Sequence, residues 1–202
     1  MFAISIVFAS LVSAVKNLNE KTIASNQAMK LQRIVLKVLN IPIDKNMSDT
    51  NISGLFFERI KSIEVGERIL YTGYEEDGYT IRGYAFPVGG PGFWGPIQGM
   101  VGVDPQATKI LGIAFHKHSE TPGLGGRITE DWFSNQFKDL PLHSIESDRK
   151  IFYLKPAGTG GAPNDLDAIT GATNTSAAIE SFLNYELDYF LKELWTRVVE
   201  TE

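Results

Sequence analysis

The chain has 202 residues, 43% hydrophobic and 21% charged, a composition that excludes a disordered polypeptide at a length able to bury its own core. Nineteen Lys and Arg against 24 Asp and Glu leave a net charge of −5 with no basic run, which argues against a nucleic-acid partner. Cysteine is absent, so disulfides, Cys-ligated zinc, iron–sulfur clusters and thiol nucleophiles are excluded together, and any redox chemistry must come from a cofactor held another way.

Phe2 to Val15 is uncharged and apolar apart from Ser5, Ser10 and Ser13. As a helix at about 1.5 Å per residue it reaches roughly 21 Å, against a hydrocarbon core of roughly 30 Å. Three readings fit: a membrane anchor over residues 1–18 that starts upstream or snorkels at its ends, a secretory signal with a cleavage site at Val12-Ser13-Ala14, and a buried core helix. No basic segment precedes the run, which argues against the signal, and the anchor is the reading adopted. Lys16 and Lys21 follow it, a small positive-inside cue against export of what comes after. Residues 19–45 are expected to form a connecting helix. Asn19 to Leu39 lacks Gly and Pro, and Ile34, Val35, Val38 and Leu39 fall at helical spacing. Pro42 and the polar stretch Asp44 to Asn51 end it. Residues 46–202 then form one domain.

Within that domain, Ile69 to Phe86 is rich in Tyr and Thr around Glu76-Asp77-Gly78, which predicts a hairpin with its turn at Asp-Gly. Gly89 to Gly95 is expected to be irregular. Met100 to Val103 and Ile110 to Phe115 read as strands joined at Asp104-Pro105, and His116 to Arg127 as a second irregular stretch. Thr129 is placed to cap a short helix, with Glu130 and Asp131 near its positive end. Ile151 to Leu154 reads as a strand and Ala157 to Pro163 as a third glycine-rich loop. The final helix is marked by Ile179, Phe182, Leu183, Leu187, Phe190, Leu191, Leu194, Trp195 and Val198 on one face. Short turns between strands argue against a doubly wound nucleotide fold and for an α+β fold, an antiparallel sheet packed with helices.

The third loop runs through Asp165 to Ser176 into the long helix. Gly171 permits a tight turn, Ala172 keeps the approach open, and Thr173, Thr175 and Ser176 present hydroxyls among the N–H groups of a helix N-terminus. Such a place favours a phosphate. Capping of the helix by Thr170 or Thr173 is the simpler alternative.

Asp167-Ala168-Ile169-Thr170-Gly171-Ala172-Thr173 resembles the D-x-x-[ST]-G-A-T signature of proteins that carry FMN covalently. His118 to Gly125 (HSETPGLG) and Gly92 to Gly99 (GFWGPIQG) resemble two further signatures, in the right order. Together they resemble the FMN-binding subunits of two ion-translocating electron-transport complexes, the G subunit of Rnf and the C subunit of Nqr, from about Gly83 to Asn184. The resemblance implies FMN joined through its phosphate to the Thr173 hydroxyl, installed by a flavin transferase that uses FAD and Mg²⁺ and reads Asp167 as part of its recognition sequence. By chemistry alone Thr175 and Ser176 are rival attachment points; the motif favours Thr173.

The same resemblance places Glu120, Thr121, Gly123 and Leu124 along the flavin, and Thr170, Gly171 and Ala172 beside its phosphate. Trp94 offers an aromatic wall, with ordinary core packing as the alternative. Lys155, ahead of the third loop, is placed to neutralise the phosphate or to sit solvated at the surface. His116 and His118 lie two apart, but a metal site needs further ligands and only His143 remains among the histidines, so no metal is expected. His118 is expected to shape the flavin loop through a hydrogen bond. The Asn174-Thr175-Ser176 glycosylation pattern would collide with the flavin site and is discounted.

The implied function is an electron-carrier subunit of an ion-translocating oxidoreductase, the G subunit of Rnf in preference to the C subunit of Nqr. The chain would be held by a single N-terminal anchor in a bacterial inner membrane, with its domain on the outer side among the other proteins of the complex. The alternatives are an FMN-binding domain of another membrane reductase or regulator, and an unflavinylated envelope binding module.

Overall fold

A computed structural model describes residues 2–66, 68–143 and 150–201. Helix α1 (Phe2–Val38) is continuous, so the expected anchor and connecting helix are one element. Among the described residues no helix is long and apolar enough to cross a membrane. Helix α1 ends where Asn40 takes a left-handed φ of 53° and the Ile41 amide returns to the Leu36 carbonyl at 2.9 Å, with Pro42 just beyond.

Five strands form an antiparallel meander in chain order: β1 (Ile60–Val65), β2 (Arg68–Tyr74), β3 (Ile81–Pro91), β4 (Pro96–Val103) and β5 (Ile110–Lys117). The expected hairpin is β2–β3, with the Gly78 amide donating to the Glu75 carbonyl at 2.9 Å. Helix α2 (Asp49–Arg59) and β1 were not foreseen; Asp44 to Asn51, read as a polar terminator, contains the Ser48 cap of α2, whose hydroxyl accepts from the Asn51 amide. Gly89 to Gly95 is less irregular than expected. The β3–β4 ladder runs out to Pro91↔Pro96, and only the four residues between them turn. His116 and Lys117 likewise continue β5.

Alternation along the strands sends side chains to two cores. Tyr84, Phe86 and Val88 face one side, where Phe86 stacks on Phe190 with ring centres 4.2 Å apart. Ala85, Met100 and Ala114 face the other, against Val35, Val38 and Leu39 of α1 and the turn after it. The backbone of α1 approaches closely there, and a Cβ on Gly102 would lie 2.2 Å from the Val38 carbonyl oxygen.

A 3-10 turn (Gly125–Thr129) leads into the short α3 (Asp131–Asn135). Thr129 does not cap α3. The residue at the cap position is Glu130, and the Thr129 hydroxyl donates back to the Gly126 carbonyl at 3.1 Å. The strand expected at Ile151–Leu154 is β6 (Tyr153–Lys155), paired in parallel with β7 (Asp165–Asp167) in a separate small sheet, so the sheet content is not wholly antiparallel. Helix α4 (Thr173–Tyr189) continues through a π-helical turn (Phe190–Leu194) into α5 (Trp195–Thr201), and its apolar stripe packs on the first core as the periodicity predicts.

Candidate functional site

Three segments meet at the start of α4. The first is the tip of the β3–β4 hairpin, where the Gly92 amide donates to the Gly95 carbonyl at 2.8 Å and Phe93 and Trp94 project, ring centres 4.9 Å apart. The second follows β5. The Leu124 and Gly126 amides both donate to the Thr121 carbonyl, and Gly123 sits at φ 74°. His118 shapes this loop as expected, its Nδ1 accepting from the Glu120 amide at 3.2 Å. The third is the run from β7 into α4, where Gly171 at φ 79° makes the turn that any residue with a Cβ would strain.

Glu120 joins all three. It is 4% exposed; one carboxylate oxygen accepts from the Trp94 amide at 3.0 Å and the other from the Thr175 hydroxyl at 2.5 Å. A Cβ on Gly92 would lie 2.6 Å from one of these oxygens, and a Cβ on Gly125 2.8 Å from the other, so the acid needs glycine on both sides. Around it lies a cavity of about 340 Å³ bounded by Phe93, Trp94, Glu120, Thr121, Leu124, Gly125 and the Gly171–Thr175 turn.

The first turn of α4 has no side-chain cap among the described residues. Its cap position is Ala172, so neither Thr170 nor Thr173 performs the alternative role. The three hydroxyls of the turn have separate fates. Thr175 is buried and donates to Glu120, and Ser176 is buried with its oxygen accepting from the Ile169 amide at 3.0 Å. Thr173 is exposed, and it lines both the first cavity and a second of about 460 Å³ that also holds Thr170.

Other expected residues lie to the side. Asp167 does not line either cavity. Its carboxylate accepts from the Gly158 amide at 2.9 Å, pinning the third glycine-rich loop, and both its backbone polar groups bond to the Gln136 side chain. Lys155 is also outside the lining, its ammonium 4.9 Å from the centre of the Tyr153 ring. Gly123 shapes the second loop without lining the cavity. Among the described residues no group of three or more His, Asp or Glu is arranged to hold a metal ion. Burial first, and the Lys30 and Lys117 charges second, push His116 below its usual value and favour its neutral form. Sequence reasoning missed Phe93 and Asn174 as wall residues and Gln136 as a clamp; a glutamine 31 positions from its partner leaves no local signal.

An aromatic and aliphatic wall, a polar loop rim and an uncapped helix N-terminus that carries the exposed Thr173 hydroxyl fit a flat heterocycle bearing a phosphate. Residues 92–188 match the FMN-binding domain family. The relatives are named as subunits of ion-translocating oxidoreductases. The chain is 31% identical over 111 residues to the C subunit of the Na(+)-translocating NADH-quinone reductase of Yersinia pestis, covering 55% of this chain and 42% of that one. It is 33% identical over 138 residues to the G subunit of the ion-translocating oxidoreductase complex of Methanosarcina acetivorans, covering 66% of each. The fold matches a crystal structure of the C subunit of the Na(+)-translocating NADH-quinone reductase from Parabacteroides distasonis with a TM-score of 0.71 and 24% identity, over 87% of this chain and 96% of that one.

Proposed function

We propose that this chain is the FMN-bearing member of an ion-translocating electron-transport complex, with FMN joined through its phosphate to the hydroxyl of Thr173. The observation that carries the reading is the sorting of hydroxyls in the first turn of α4: Thr175 and Ser176 are buried and engaged, while Thr173 is exposed at the cavity mouth. Thr173 Oγ supplies the oxygen of the phosphoester, a flavin transferase would deliver the FMN half of FAD, and AMP leaves as the Thr173 proton is lost. When bound, FMN supplies reversible one-electron transfer through its isoalloxazine ring.

The chain's own residues orient and shield. Trp94, Phe93 and Leu124 present apolar faces, and the loop from Glu120 to Gly125 offers backbone groups to a polar rim. The start of α4, which has no side-chain cap, would meet the remaining phosphodiester charge with its free N–H groups. Asp167 acts in recognition by the transferase. Residues 1–18 tether the chain to a bacterial inner membrane, and the domain works on its outer side against neighbouring proteins of the complex. A G subunit of the Rnf type is favoured over a C subunit of the Nqr type, because the match takes in 66% of the Methanosarcina acetivorans G subunit against 42% and 56% of the Yersinia pestis and Pseudomonas aeruginosa C subunits.

Co-expression with a flavin transferase tests the attachment. The denatured band should fluoresce and the intact mass should rise by one FMN less water. Thr173→Ala should abolish both and Thr173→Ser should keep them. Fluorescence that survives Thr173→Ala and maps to Ser176 refutes the assignment.

A further inference from the structure

The cavity at the start of α4 is lined by one ionisable side chain, and it is an acid. Glu120 is 4% exposed and is held from two sides, by the Trp94 amide at 3.0 Å and the Thr175 hydroxyl at 2.5 Å. The backbone makes room for it, since a Cβ on Gly92 or Gly125 would come within 2.6 and 2.8 Å of its oxygens. No lysine or arginine lines the cavity among the described residues.

This is an unusual way to receive a phosphate. A phosphate monoester carries about −1.5 to −2 charge near neutral pH, and proteins commonly meet it with arginine, lysine or a helix N-terminus. The N-terminus of α4 is present, with the equivalent of roughly half a positive charge. Glu120 already places a carboxylate against that first turn through Thr175, and so offsets the attraction. The apolar walls and loop rim remain available to the ring and the ribityl chain, which carry no charge. Esterification changes the balance: a phosphodiester keeps a single negative charge, and a covalent bond no longer depends on affinity.

We infer that Glu120 makes this cavity select against the phosphate of free FMN, so that the unmodified chain takes riboflavin in preference to FMN. The inference rests on the reading that the cavity holds a flavin tethered at Thr173, and it adds that the tether replaces a phosphate cradle that Glu120 prevents. Glu120 is then the residue that sets specificity between flavins, through charge.

The full chain, made without attached flavin, is titrated with riboflavin and with FMN, following quenching of flavin fluorescence at low and high salt. Riboflavin should bind at least about threefold more tightly at low salt, with the gap narrowing as salt screens the carboxylate. Glu120→Gln keeps both contacts, its carbonyl accepting from the Trp94 amide and its amide donating to the Thr175 oxygen. It should tighten FMN by about fivefold or more while moving riboflavin less than about twofold. Tighter binding of FMN than of riboflavin by the wild-type chain overturns the inference. So does equal tightening of both flavins in Glu120→Gln, or binding of neither below about 1 mM. If Glu120→Gln fails to give a native circular-dichroism spectrum, the wild-type ratio and its salt dependence decide alone. Reversed selectivity with intact attachment at Thr173 removes only this inference, whereas absent attachment removes the proposed function and leaves the titrations readable.

Discussion

Replacing Thr175 by valine tests the junction on which the site is built. Thr175 is 3% exposed and its hydroxyl is 2.5 Å from the buried Glu120 carboxylate. Valine keeps the volume and the β-branch, so no cavity opens and the change falls on the hydrogen bond alone. A hydrogen bond to a charged group contributes about 1.5–3 kcal/mol, and an acceptor left buried without a partner puts the loss in the upper part of that range, about 2–3 kcal/mol. For a chain of this size each kcal/mol moves the melting temperature by about 2–4 °C, so Thr175→Val should melt about 4–12 °C below wild type. Thr175→Ser keeps the donor and should recover most of the difference. Thermal melts of the chain without attached flavin measure this, and fluorescence of the co-expressed, denatured band measures attachment, which should persist in both variants. A Thr175→Val protein melting within about 1 °C of wild type would show that Thr175 does not hold Glu120. A folded Thr175→Val protein that takes no flavin would move the attachment point away from Thr173.

Two further outcomes follow from groups outside the cavity. Asn184 is buried, accepts from the Ile151 and Phe152 amides at 2.7 and 3.2 Å, and donates to the Phe152 carbonyl at 3.0 Å. Asn184→Leu strands these buried groups and should lower stability by about 3–5 kcal/mol in urea denaturation, with β6 losing protection in hydrogen exchange. His116 is held below its ordinary value by burial and by Lys30 and Lys117, so the unfolded chain takes up a proton at a higher pH than the folded one. Its contribution to stability is therefore complete above about pH 6.5 and is lost as pH falls toward the folded value. Urea midpoints at neutral and mildly acidic pH should show a smaller decline in His116→Gln than in wild type.

How much of this was legible in the sequence depended on whether the signal was local. The stripe from Ile179 to Val198 is periodic and buried where expected, and Asp77-Gly78 is a turn by its own chemistry. Strand β1 has no such signal. It is an edge strand with four consecutive exposed residues, Lys61 to Glu64, and it is a strand because β2 pairs with it. Gly89-Gly90-Pro91 reads as a loop by composition, yet it stays in the ladder. A Cβ on Gly90 would lie 2.4 Å from that of Phe182, so the glycine serves helix packing rather than a turn. At the site, the signature around Thr173 singles out one hydroxyl, but nothing local shows that Glu120 reaches residues 26 and 55 positions away.

Those long contacts also explain why the site and the core are one construction. Helix α4 carries the exposed Thr173 at its start and, more than two turns on, Phe182 and Leu183 in the first core. Phe182 rests against Gly90, two residues before the turn that carries Phe93 and Trp94. The contact that seats the helix on the sheet therefore also sets the distance from the first turn of α4 to the aromatic wall. Glu120 closes the same triangle from the loop after β5, with one oxygen on each of the other two corners. A side chain that sits at the floor of the cavity thus bears on fold and binding together. Thr173 is exposed on the same first turn and takes no part in the Trp94–Glu120–Thr175 contacts, so the adduct proposed there would leave them in place.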